Sequence, residues 1–524
     1  MASTTHHRNK KTGAIYRYAV ESYWDKEKKA PRNKQVCLGR VDPVTGELIA
    51  SKRRKKGAVG EQSEPSFSKI TVRSRIVGPN LILDKITEEY AIKALLDTCF
   101  GKKANKMLSL VYFLVQKGVA LSRVEQWSMA TQHPVEQFIS SQEVSELLRD
   151  ISEDERQRFF SLWMERILEE DYLCYDITSI SSYAKNNEYT QWGYNRDSES
   201  LEQINMAMLF GQNARLPAYY RRLPGNISDV ATLKTTIKSL DFLGIPSSMH
   251  FVLDRGFYSK ANIDELYKHN HKFTIAVPAG RKWVEQVMDE HIESIASPGK
   301  YLSLSKDEAL YADTTLYQWG ENNHRLYVHV YYNAERAAGN YDSFTRKLIT
   351  LKEELESGNT IDKHEPFYKR YFIVTETPKR GRKVEYNDAE IQKYRNRYSG
   401  FFCIASNKIK RADEALQVYR NKDVVENCFD DLKNQLDMKR LRVHRSTAMD
   451  SRLFLQFIAL IYISKIRQTT KGCKKLNHLS VRDTMEIMET LTQIKLSNRR
   501  KEVRSETSPL QREILNAFDV SLSA

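Results

Sequence analysis

No CxxC pair occurs in the 524 residues, and the six cysteines, Cys37, Cys99, Cys174, Cys403, Cys428 and Cys473, are scattered. That spacing argues against a zinc ribbon and supplies no disulfide framework; a reducing, intracellular setting fits. An apolar signal core is also missing, because the chain opens on the polar, basic "MASTTHHRNKK". The longest apolar run, 453–463, has 11 residues and contains Gln456. A membrane span needs about 20, so this run is predicted to be a buried helix. No internal repeat is evident.

What is present suits a globular protein. Hydrophobic residues make up 41% and charged residues 28%, which excludes global disorder. At roughly 150 residues per domain the length suggests about three or four domains. The net charge of +15 is unevenly placed: residues 1–60 hold 15 Lys or Arg against 5 Asp or Glu, an excess of 15 − 5 = 10. A second basic run, "KLSNRRKEVR", lies at 495–504. Concentrated positive charge favours polyanions through counterion release; a solubilising tail is the alternative.

Residues 14–50 alternate as strands do, with "DKEKKAPRN" as a hairpin loop and "DPVTGEL" as a turn. The stretch 57–68 after "SKRRKK" reads as a linker. Residues 80–168 are predicted helical, with Ser-x-x-Glu starts at Ser122/Glu125, Ser140/Glu143 and Ser152/Glu155. From Tyr172 three strands follow in succession: "YLCYDITSISSY", "INMAMLFGQ" and "LPAYYRRLPG". Then helix and strand alternate through "DVATLKTTIKSLDFLG", "MHFVLDRG", "SKANIDELYKHN" and "KFTIAVP". This order predicts a mixed sheet flanked by helices. It breaks after Pro278, and 280–398 reads as an insertion before another sheet strand, "GFFCIASN".

Two acids fall at strand ends, Asp176 in "LCYDITS" and Asp254 in "HFVLDRGFYS". A carboxylate at the edge of an apolar strand is costly unless paired or liganded, and α/β sheets display functional groups there. A turn-forming or capping Asp is the alternative for each. Carboxylate oxygens hold hard cations such as Mg²⁺, and two such ions can stabilise both oxygens in phosphoryl transfer. That chemistry asks for a third acid. In "YRNKDVVENCFDDLK", read as one helix at 100° per residue, Tyr419, Lys422, Glu426 and Lys433 fall within about 60° of one another. Val418, Val425, Phe429, Leu432 and Leu436 form an apolar stripe beside them, while Asp423, Asp430 and Asp431 are expected to point mostly toward solvent. A salt-bridged amphipathic helix would carry the same charges.

Taken together, "YDIT", "PGNISD", "LDRGFYS" and "YRNKDVVENCFDDLK" resemble DDE transposases of bacterial insertion sequences. They are most similar to the superfamily named for insertion sequence four, in the branch named for insertion sequence sixteen thirty-four. Its fourth motif is Tyr, two residues, Arg, three residues, Glu, six residues, Lys, matched here by Tyr419, Lys422, Glu426 and Lys433. Lys422 departs from the family's Arg, keeping the charge but losing a bidentate phosphate contact.

The resemblance covers about 75–460 and implies an α/β protein with an RNase H-like mixed-sheet catalytic core at 170–279 and 399–470. The segment 280–398 becomes the strand-rich insertion domain. A small basic β-rich module (12–55) and a helical DNA-binding domain (75–168) precede the core; a helical, basic C-terminal tail (471–524) follows it. Asp176, Asp254 and Glu426 become the catalytic and metal-binding triad, holding two Mg²⁺ (or Mn²⁺) ions. Asp176 is expected to bridge the two. Tyr419, Lys422, Lys433 and Arg255 become DNA-binding residues, and Trp319 a candidate to stack on a displaced base. The implied activity is cleavage of transposon ends and transfer of the 3′-OH to target DNA, cut-and-paste. The implied partners are double-stranded DNA (ends and target) and a second copy in a homodimeric synaptic complex, with no membrane. The setting would be a bacterial cytoplasm, at the nucleoid. A nuclease of the same fold that does not join, or a domesticated DNA-binding protein, are the alternatives.

Overall fold

The computed structural model describes residues 3–25, 29–43, 45–50, 72–168, 171–184, 187–243, 249–305, 308–377, 381–443, 445–496 and 502–521. The linker read at 57–68 and the basic run before it lie outside these residues, as does part of the basic run at 495–504. The chain divides into two compact units, 1–70 and 71–524.

In the first unit β1 (Ser3–Arg8), β2 (Ile15–Asp25), β3 (Ala30–Val41) and β4 (Leu48–Ala50) form an antiparallel sheet in sequence order. β1 falls in the polar opening stretch, which sequence reading left without structure. The turn before β4 closes on Asp42, whose carbonyl accepts the Gly46 amide at 3.0 Å and whose side chain accepts the Thr45 amide at 3.2 Å. Gly46 sits at φ +71, where a Cβ is unfavourable.

The second unit starts with β5 (Val72–Ile76) and the helices α1 (Gly78–Glu89), α2 (Ile92–Phe100), α3 (Ala104–Lys117), α4 (Val124–Ala130), α5 (Ser141–Asp150) and α6 (Glu153–Ile167). Ser140/Glu143 and Ser152/Glu155 form reciprocal capping boxes. Ser122/Glu125 does not. Ser122 lies inside a short 3₁₀ turn ahead of α4, and Glu125 instead accepts the Ser141 amide (2.8 Å) and hydroxyl (2.6 Å).

The core sheet follows: β6 (Tyr172–Ser182), β7 (Gln203–Gly211), β8 (Leu216–Pro224), α7 (Asp229–Phe242), β9 (His250–Leu253), α8 (Lys260–Lys268) and β10 (Lys272–Val277). β6, β7 and β8 are antiparallel, and β9 and β10 run parallel to β6. The spatial order β8-β7-β6-β9-β10 is the RNase H-like arrangement. Every residue of β7 is buried, which accounts for its nearly unbroken apolar sequence.

The insertion contains α9 (Lys282–Asp289), β11 (Tyr301–Ser305), β12 (Glu308–Trp319), β13 (His324–Tyr332), α10 (Ala334–Ser357), α11 (Glu365–Tyr371), β14 (Phe372–Thr377), β15 (Gly381–Tyr386) and α12 (Asp388–Arg397). Its first strands are not a separate layer. β16 (Phe401–Ser406) pairs with both β10 and β13, so β13, β12 and β11 extend the core sheet. Within the insertion, α10 to α12 gather a small core of their own, around Phe344, Leu348, Leu351, Tyr368, Tyr371 and Val384. Trp319 is correspondingly buried, its indole N–H donating to Asp264 at 2.7 Å beside Trp283. It packs the sheet and is not displayed for stacking on a base.

The chain ends with α13 (Ala412–Arg420), α14 (Asp423–Asp430), β17 (Arg440–Leu441), α15 (Ser446–Gly472), α16 (Val481–Glu489), β18 (Thr492–Leu496), β19 (Val503–Arg504) and α17 (Pro509–Ala517). α15 contains the apolar run 453–463 and is buried continuously from Ser451 to Ser464. Its Gln456 donates to the Leu436 carbonyl at 3.2 Å, which explains the one polar residue there. The helical region and the core are joined around it: Thr87 of α1 meets both the Tyr112 hydroxyl of α3 and the Tyr462 hydroxyl of α15 at 2.7 Å. β18 pairs with β5, tying the C-terminal segment to the start of the unit. Among the described residues no single helix is long and apolar enough to cross a membrane; one bent pair, 92–117 with 121–130, passes by length and composition, and its apolar side chains lie in the main core.

Candidate active site

β6 and β9 place the two aspartates side by side. The parallel register pairs Tyr175 with Leu253, and the next residue on each strand is an aspartate. Adjacent strands lie about 4.8 Å apart. Asp254 keeps an extended backbone, φ −76 and ψ 164, so the pairing geometry carries one residue beyond the strand. Tyr175 points to the opposite face, where its hydroxyl meets Thr232 and Thr236 of α7 at 3.0 Å.

Asp176 is the more desolvated of the pair. Its carboxylate accepts one hydrogen bond among the described residues, from the amide of its neighbour Ile177, at 2.8 Å. Burial pushes its carboxyl up to about 6, against the pull of that amide, Arg196 and Lys422, and the Asp254 charge adds to the rise. Asp254 shifts the other way. Burial acts to raise it, but the Tyr419 hydroxyl, donating at 2.6 Å, with Lys422 and the Arg255 amide and guanidinium, holds it below its ordinary value. Tyr419 itself is driven upward by burial and then by that carboxylate. It stays protonated and is a fixed donor.

The helix carrying the third acid is interrupted where the sequence suggested continuity. α13 stops at Arg420, α14 starts at Asp423, and 431–435 form a π-turn. α14 docks on the Asp176 face: Val425, Cys428 and Phe429 are buried, and Cys428 Sγ lies 3.3 Å from Met208 Sδ, the residue directly across from Asp176. Lys422, at the junction of the two helices, donates to Glu426 at 2.9 Å. Its side chain is 17% exposed, that of Glu426 57%. Burial works against the Lys422 charge, but Glu426, Asp254 and Asp176 together hold its pKa above normal. One ammonium thus serves three carboxylates.

Lys433 lies within the π-turn, whose wider pitch changes the phase of the helix. Its ammonium pairs with Asp197 at 2.7 Å. Arg255 is exposed beside Asp254. Asp431, expected to face solvent, is 1% exposed and paired with Arg467 of α15. The π-turn rotates it inward, and burial raises its carboxyl to about 6. Sequence reading also missed Arg196, which donates to both carboxylate oxygens of Asp229 at 2.8 Å and acts on Asp176 across the loop. The signal was the last residue of "PGNISD". Gly225 in that motif is required by space: a Cβ there would stand 2.0 Å from the Gln203 carbonyl.

Whether this donor set suits a divalent cation follows from its charges. Among the described residues no three His, Cys, Asp or Glu converge closely enough to enclose an ion. Asp176 and Asp254 nonetheless offer hard oxygen donors, and the burial that raises the Asp176 carboxyl is a cost a bound cation would relieve. Glu426 is the donor held apart, by Lys422.

Residues 169–462 match the family model of the transposase DDE domain. The chain belongs to that transposase family. The match spans the core sheet, the insertion, α13, α14 and most of α15. Among solved structures, this transposase is similar to a piggyBac transposase synaptic complex with hairpin DNA, determined by cryo-electron microscopy. The identity is 12% and the TM-score 0.36, over 77% of this chain and 70% of that one. No curated protein matches the transposase.

Proposed function

We propose that this protein is the transposase of a bacterial insertion sequence in the insertion-sequence-four superfamily, branch sixteen thirty-four. It would bind transposon-end DNA and catalyse metal-dependent strand cleavage and strand transfer, cut-and-paste. The observation that carries the reading is the pairing of Asp176 and Asp254 on adjacent parallel strands, with Glu426 one ammonium away on the helix docked over them. Asp176, Asp254 and Glu426 would hold two Mg²⁺ (or Mn²⁺) ions. When bound, these supply the positive charge that lowers the barrier to phosphoryl transfer at the attacking and leaving oxygens.

The protein's own groups divide the remaining work. Asp254, kept ionised by Tyr419 and Lys422, is ready as a donor at neutral pH. Tyr419 orients that carboxylate and is not a nucleophile. Lys422 offsets part of the trio's negative charge in the free protein; were Glu426 to turn to a cation, its ammonium would be free to meet a phosphate. Arg255 lies exposed at the rim for the same role, and Lys433 reaches DNA only by leaving Asp197. A homodimer holding paired ends fits the two-ended substrate.

The test is cleavage of labelled end DNA, with a plasmid as target. Glu426→Gln should abolish Mg²⁺-dependent cutting while duplex binding persists, and normal cutting by that variant would remove Glu426 from the site. Cut ends that never join the plasmid would favour the nuclease alternative.

A further inference from the structure

A basic cleft of about 1130 Å³ lies between α5 and the segment 437–452, away from the carboxylates. Six cations line it, Arg149, Lys439, Arg440, Arg442, Arg445 and Arg452, against two acids, Glu199 and Asp437, a balance of 6 − 2 = +4. Arg440 is tied to Glu199 at 2.8 Å. Lys439, Arg442 and Arg445 are exposed and form no salt bridge among the described residues. On the cleft wall Arg452 is 9% exposed, and its Nε has no hydrogen-bond partner. Like charges gathered with too few acids to offset them, one of them buried, are costly unless an anion binds.

The cleft is joined to the catalytic strand. β17 pairs parallel with β6, Arg440 opposite Ser181, five residues beyond Asp176. At about 3.3 Å per residue this is ~17 Å along β6, or roughly five nucleotide steps of B-form DNA at 3.4 Å each. We propose that this cleft is a second DNA site, holding the phosphate backbone of the duplex about five nucleotides from the scissile bond through Arg442, Arg445 and Lys439. The assignment rests on the transposase reading for its ligand. The cleft has no carboxylate cluster for chemistry and serves to hold register.

The experiment measures binding of the full chain to a fluorescent 30-base-pair duplex in EDTA, at salt from 50 to 200 mM. Each phosphate contact contributes about −0.9 to the slope of log K against log salt. Arg442→Ala with Arg445→Ala should therefore flatten the slope by about 1.8 and shrink the loss of affinity across that fourfold range about 12-fold. Arg442→Lys with Arg445→Lys keeps the charges and should keep the slope. An unchanged slope in the alanine variant, or equal flattening in the lysine variant, overturns the proposal. Neither result depends on cleavage. If the slope flattens as expected while Glu426→Gln still cuts, the cleft stands and the assignment of Glu426 falls.

Discussion

Replacing Asp176 with Asn should stabilise the metal-free protein, and only above the acid range. An unfolded Asp carboxyl titrates near 3.8, whereas in the fold Asp176 titrates at about 6. Between those values the folded state holds more protons than the unfolded one. Asp176 therefore favours folding at low pH, and that contribution is lost as pH rises through the window from 3.8 to about 6. Two units at 1.36 kcal/mol each make the penalty of the ionised form ~3 kcal/mol at neutral pH. Asn is isosteric and cannot ionise. Urea unfolding in EDTA should show Asp176→Asn near wild type at pH 4 and more stable by ~3 kcal/mol at pH 7. Asp254 titrates in both proteins with the opposite sign, its depressed carboxyl adding stability above its normal range, so the difference between them reports residue 176 together with its repulsion from Asp254. Saturating Mg²⁺ should then lift the wild type by about 2.7 kcal/mol at a hundred times its dissociation constant and leave the variant unmoved. A stability difference independent of pH would refute the desolvation argument. An equal Mg²⁺ response in both proteins would refute the assignment of Asp176 as a ligand.

Tyr419→Phe removes the 2.6 Å donor to Asp254, so the acid limb of the pH–cleavage profile should move to higher pH; an unmoved limb would show that the hydroxyl does not tune this carboxylate. Arg467→Met leaves the Asp431 charge buried without its partner and should cost about 3–5 kcal/mol in urea unfolding at neutral pH. Without the Arg467 charge the Asp431 carboxyl, already raised to about 6 by burial, is pushed further up, so the loss should be smaller below pH 6, where the group is protonated in both proteins, than at neutral pH; a constant loss counts against a charge effect. Gly225→Ala drives a methyl into the Gln203 and Gln191 carbonyls, and soluble yield and cooperative unfolding should both drop. Wild-type stability there would mean that the β7–loop contact is looser than described.

Much of the core was legible because its signals are local. Strand runs such as "INMAMLFGQ" and the alternation of helix and strand after Ser228 depend on neighbours within a few residues. Hence β6 to β10 were found in order. Capping boxes are equally local, and two of the three formed; the third failed because a 3₁₀ turn took the position of Ser122. The insertion was read as a separate piece because sequence separation hides pairing: β13 and β16 are joined across residues 333–400 by hydrogen bonds that no local pattern announces.

Sequence alone determined the types and spacing of the reactive groups: two aspartates preceded by apolar strand residues, and Tyr419, Lys422 and Glu426 at set intervals in one segment. Covalent order supplies those, but not that Asp176 sits in mid-strand, with β6 running on to Ser182, nor that the helix breaks between Arg420 and Asp423. Tertiary structure decided the charges. Only folding brings Tyr419 onto Asp254, places Lys422 among three carboxylates, turns Asp431 onto Arg467 and pairs Lys433 with Asp197. A charge's energy depends on its burial and on partners distant in sequence, and neither is written in the residues beside it.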